Sequence, residues 1–147
     1  MENQKTLEQI METKNREVRA RYFYPSTPQP ELTRETPNGS ADIVSLKIEL
    51  NPDYINMLKD NGIPEEESVD ETLSHEYIHI AKFPGTAAKR MHHYMTARQL
   101  LDSKDLAESV VYAFNEAQTN IYNGVDMKNP YVTKVQRVLA KDSKGLN

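Results

Sequence analysis

The stretch Ser68-Val-Asp-Glu71-Thr-Leu-Ser-His75-Glu76-Tyr-Ile-His79-Ile-Ala-Lys-Phe83-Pro84-Gly85 decides the reading of this chain. Ser68 followed three residues later by Glu71 has the form of a capping box, in which each side chain satisfies the other's free backbone N–H. That pattern opens a helix, and Pro84-Gly85 closes it at about Phe83. Inside the helix lies His-Glu-x-x-His. Spacing i, i+4 puts both imidazoles on one helical face, near enough to grip one metal ion. Glu76, one position on, projects beside that ion. There it can take a proton from an attacking water and later return it.

Working outward, Thr86 is the expected cap of a second helix running through Leu101. Asp102 or Ser103 caps a third helix that ends at Gly124. In the third helix Leu106, Val110, Ala113, Ala117 and Ile121 follow helical spacing and are expected to face the core. Asn129-Pro130 starts a last helix to about Lys141, so residues 125–147 read as a C-terminal helix and tail. Upstream, residues 42–50 alternate. Val44, Leu46, Ile48 and Leu50 would face one side, and Ser45, Lys47 and Glu49 the other, as in a half-buried strand. Asn51-Pro52 ends it, with a short helix over 53–60. Residues 1–23 read as a polar helix with Leu7, Ile10, Met11 and Val18 as its apolar stripe. Pro25, Pro28, Pro30 and Pro37, closing on Asn38-Gly39, make residues 24–40 the expected linker, since proline suits neither helix interior nor central strand. The N-terminal helix would then be an appendage to one domain spanning 1–147.

Composition narrows the chemistry. The chain has 147 residues, a formal net charge of −4, four His and no Cys. Without Cys there is no disulfide, no iron–sulfur cluster and no thiolate-ligated zinc, so a metal must be held by His, Asp or Glu. The acidic balance argues against a nucleic-acid binder. No apolar run approaches the roughly 18–20 residues of a membrane span, and the N-terminus lacks the basic start and apolar run of a secretory signal. The expected setting is intracellular, with no membrane partner.

A catalytic zinc usually takes three protein ligands. Candidates for the third are His92, His93, Asp105, Glu108 and Glu116. Glu116 lies midway along the third helix in Asn115-Glu-Ala-Gln-Thr-Asn120, flanked on its face by Tyr112 and Asn120, a setting that suits a supported ligand. Adjacent His92 and His93 point about 100° apart, so at most one can face the site. His93 could supply an oxyanion donor, and Tyr112 or Tyr122 a phenol hydrogen bond to a tetrahedral intermediate.

With His75-Glu-Tyr-Ile-His79 followed by Asn115-Glu116, the chain resembles the gluzincins. These are zinc metallopeptidases with His-Glu-x-x-His on one helix and a Glu ligand on a later one. The spacing of Glu116 and Asn120, and Ile48-Glu-Leu-Asn-Pro52 ahead of the motif, are similar to small M48-like peptidases, the minigluzincins among them. The resemblance implies a small zincin-like α+β domain, mostly helical, with a short antiparallel sheet. It implies one zinc ion held by His75, His79 and Glu116, with Glu76 as base, and a peptide or protein substrate. It further implies that an edge strand over Leu46, Lys47, Ile48 and Glu49 adds substrate backbone to the sheet. A latent form, with residues 1–23 or 125–147 over the cleft, is a further implication. The alternative is a zincin-like binding or regulatory module without activity.

Overall fold

The computed structural model describes residues 4–22 and 27–144. The chain is an α+β domain dominated by helices, with one three-stranded sheet. The helices are α1 (Leu7–Arg21), α2 (Pro52–Asp60), α3 (Glu65–Ala81), α4 (Ala87–Leu100), α5 (Lys104–Ile121) and α6 (Tyr131–Lys144). A π-helical turn, Tyr122–Asp126, extends α5. The strands are β1 (Glu31–Leu32), β2 (Gly39–Ala41) and β3 (Ile48–Leu50). Among the described residues no helix is long and apolar enough to cross a membrane.

Helix α3 carries the His-Glu-x-x-His segment and is the axis of the molecule. Val69, Leu73, Tyr77 and Ile80 pack with Ile10, Met11 and Val18 of α1, Ile48 and Leu50 of β3, and Ile55 of α2. Its start differs from expectation. The helix begins a turn before Ser68, at Glu65, with Pro64 in the cap position. Proline presets the backbone there, and Glu65, Glu66 and Glu67 complement the positive end of the helix dipole. Ser68 and Glu71 are therefore interior and buried, and the Ser68 hydroxyl finds no hydrogen-bond partner among the described residues.

Helix α1 is part of the core rather than an appendage. Thr6 and Gln9 form a true capping box, and Ile10, Met11, Asn15 and Val18 are buried. The Arg21 guanidinium donates to both Asp70 carboxylate oxygens, at 2.9 and 3.1 Å, and the Tyr77 hydroxyl donates to Asn15. The expected linker is equally structured. Its described part, 27–40, supplies β1 and β2; residues 24–26 lie outside the described range. Pro30 and Pro37 precede the two strands, where a missing N–H costs nothing in the ladder.

The sheet is mixed, in the order β1-β3-β2. Strand β3 runs parallel to β1 (Glu31 opposite Glu49) and antiparallel to β2 (Ser40 opposite Glu49). This corrects the expected edge strand: β3 is the central strand, with Glu49 and Leu50 paired on both sides and Ile48 paired with Ala41 of β2. Leu46 and Lys47 precede the strand, in a tight loop. Asp42 builds that loop, its carboxylate accepting from the N–H groups of Val44 at 2.8 Å and Ser45 at 3.1 Å. Leu46 turns through a positive φ of 64°. Side-chain capture of the backbone by Asp overrides the alternating pattern, and Val44 is left exposed while Ile48 and Leu50 are buried.

Thr86 and Ser103 cap α4 and α5 as expected. The buried face of α5 is another matter. Ala107, Val111, Asn115 and Thr119 point inward, whereas Leu106, Val110 and Ile121 are about half exposed or more and Ala113 and Ala117 lie in solvent. The helix is rotated by about one residue, some 100°, from the orientation that its apolar stripe favours.

Candidate metal centre

Three donors from two helices converge. The Glu116 carboxylate on α5 lies 3.0 Å from His75 Nε2 through one oxygen and 2.8 Å from His79 Nε2 through the other. The two Nε2 atoms are 3.1 Å apart. Ligands at about 2.0–2.1 Å around a tetrahedral zinc stand about 3.3 Å from one another, so these spacings fit one small divalent cation. Among the described residues this is the group of His and acidic side chains placed to hold one. The side chains are 13–28% exposed, so the centre is lined by protein yet reachable from solvent.

The charge state supports the same view. Burial works to lower the His75 pKa, but its hydrogen bond to Glu116 and the nearby Glu76 charge hold it up at about 9. Burial tends to raise Glu116, and the two imidazoles more than offset this, taking it to about 2. Electron-pair donors this close need a positive charge among them, a proton or a metal ion.

His79 is oriented by its other nitrogen. Nδ1 lies 2.6 Å from the Phe83 carbonyl, which accepts its proton, and 3.3 Å from the Thr119 hydroxyl. A proton on Nδ1 leaves the Nε2 lone pair free to bind a cation. Thr119 in turn donates to the Asn115 carbonyl at 2.8 Å. Neither Phe83 nor Thr119 stood out in the sequence. The signal for Thr119 was its spacing, four residues after Asn115 on the buried face of α5.

Glu76 is buried beside the three donors and lines the same cleft. Burial raises its pKa, against the pull of His75 and His79. Tyr112 also lines the cleft, largely exposed, and its hydroxyl pKa is raised by partial burial and by Glu116 and Glu76. His93 lies elsewhere: its ring packs edge-on against Phe114 at 5.5 Å and does not line the cleft. Among the described residues no hydrogen bond joins Asn120 to the three donors; Thr119 takes the supporting place. His92, Asp105 and Glu108 are not part of the ligand group.

The cleft has a volume of about 1180 Å³. One wall is β2 and the loop after it, from Asn38 to Val44; the other is α4 and α5, with Met91, Tyr94, Val111 and Tyr112. No described residue of 4–22 or 125–144 lines it. The expected cover by residues 1–23 or 125–147 is thus not seen in their described parts: α1 packs on α3, and Val135 and Val138 of α6 pack on Leu58 and Ile63. Residues 1–3, 23 and 145–147 lie outside the described range.

No protein-family model, curated protein or solved structure matches the chain.

Proposed function

We propose that the protein is a zinc-dependent peptidase of gluzincin type. The observation that carries this reading is the convergence of His75, His79 and Glu116 at 2.8–3.1 Å with the Glu76 carboxyl buried beside them. A zinc ion held there supplies Lewis acidity, making water acidic near neutral pH and polarising a carbonyl. The roles of the chain's own residues follow. Glu76, its pKa raised by burial, accepts the proton of the attacking water and returns it to the leaving amine. Tyr112, at the cleft wall, donates a hydrogen bond to the carbonyl oxygen as charge develops there. Strand β2, with β3 on one side and the cleft on the other, offers its free edge to an extended peptide. The substrate is therefore an unfolded or extended polypeptide segment.

The test is Glu76→Gln. The variant binds zinc one-to-one, as wild type does, and its hydrolysis of an unfolded protein falls by about 10²–10⁴-fold, the usual share of a general acid–base. Hydrolysis retained in this variant, or wild-type protein that binds no zinc, overturns the reading. Zinc binding without turnover in wild type points instead to a binding module built on the same centre.

A further inference from the structure

Edge strand β2 approaches α3 at one point with no room for a side chain. A Cβ on Gly39 would stand 2.9 Å from Glu76 Oε1, 2.9 Å from Thr72 Cγ2 and 3.4 Å from the Glu49 carbonyl oxygen. Gly39 is paired with Leu50 in the ladder, and its φ lies outside the left-handed region. Backbone conformation therefore does not demand glycine; space does. Thr72 and Glu76 stand one turn apart on the same face of α3, so the strand rests across both. The Thr72 methyl cannot turn aside easily, because its hydroxyl donates to the Ser68 carbonyl at 2.8 Å.

Resting on the assignment of Glu76 as general base, we infer that Gly39 is the positioning residue for that carboxylate. The bare strand lies so close to α3 that even a Cβ would crowd the Glu76 carboxylate, which bars that carboxylate from moving toward the strand and away from the His75–His79–Glu116 donors. The strand that buttresses the base is also the one whose free edge faces the cleft. The position of the base is thus set by a backbone contact with the strand proposed to receive the peptide.

The experiment compares wild type, Gly39→Ala, Thr72→Ser and the double variant. Readouts are kcat, KM, zinc affinity and the ¹³C resonance of the Glu76 carboxyl, assigned with Glu76→Gln. Gly39→Ala lowers kcat by about 100-fold, the cost of displacing a catalytic group by about 1 Å. KM and zinc affinity hold, and the Glu76 resonance moves. Thr72→Ser removes the crowding methyl but keeps the hydroxyl, so the double variant recovers about tenfold in kcat, as expected of residues that share a contact, and its resonance moves back. An unchanged kcat and resonance in Gly39→Ala, or no recovery in the double variant, overturns the inference. If wild type hydrolyses nothing, the peptidase reading falls, while the resonance and its reversal still decide the role of Gly39. If Gly39→Ala does not fold, Gly39→Ala/Thr72→Ser/Glu76→Asp, in which both contacts are vacated, folds; its failure to do so overturns the inference.

Discussion

Glu71 lies one turn before His75 and is 5% exposed. Burial raises its carboxyl to about 7 from an ordinary 4.5; His75 opposes the rise, and Glu76, Asp70 and Glu116 add to it. Because the folded-state value is the higher one, the folded chain holds this proton longer than the unfolded chain. The associated stability is present below pH 4.5 and is lost as pH rises through 7. Glu71→Gln is expected to stabilise the metal-free protein at pH 8 by on the order of 1–3 kcal/mol and to change it little at pH 5. Urea midpoints at the two pH values check this; a variant less stable at pH 8 would show that Glu71 is held by a favourable charge contact. In the sequence Glu71 read as a helix cap. Its type and spacing were right for that, but Pro64, four residues before Ser68, already caps the helix. A cap and an interior acid share one local pattern, and only the position of the true start separates them.

At the scale of elements, α5 shows which force won. Its apolar stripe, Leu106, Val110, Ala113, Ala117 and Ile121, faces solvent, while Asn115 and Thr119 face inward. This orientation brings Glu116 to both histidines and Thr119 to His79 Nδ1. Turning the stripe inward by about 100° would carry Glu116 off the centre. Ile121→Ser is accordingly expected to alter stability by no more than about 0.5 kcal/mol, as for other exposed positions. Val111→Ala, on the buried face beside Ala97 and Ala107, costs about 1–3 kcal/mol. Chemical denaturation of the two variants decides between the two faces. Helix periodicity was legible in the sequence as a period, but its phase was not, because apolar spacing does not state which face another element needs. The same holds for residues 42–50. The alternation was real for Ile48 and Leu50, and Asp42 claimed the backbone ahead of them.

For the whole molecule, the proposed zinc would couple metal binding to folding. The centre joins α3 to α5, so a cation bound only by the folded chain adds about 4 kcal/mol to stability at a thousandfold excess over its dissociation constant. His75 holds its proton up to about pH 9 in the metal-free protein, and zinc requires the free imidazole. Zinc binding therefore releases a proton below pH 9, and apparent affinity tightens about tenfold per pH unit from 7 toward 9. Calorimetry in buffers of different ionisation enthalpy counts the proton directly. No proton release at pH 7.5 would mean that the His75–Glu116 pair is already neutral at the histidine.

The sequence by itself determined the helices, because caps and proline stops act within a few residues. It also determined that His75 and His79 share a face, because helix pitch dictates it. It carried the ligand candidate Glu116, whose polar neighbours mark an unusual face. Tertiary structure alone decided that α5 turns this face inward, that β3 is flanked on both sides while β2 takes the edge, and that α1 is core. It also brought Thr119 and Gly39 to the centre. Those outcomes depend on contacts between residues tens of positions apart, where the competing orientations differ in packing and not in any local preference of the chain.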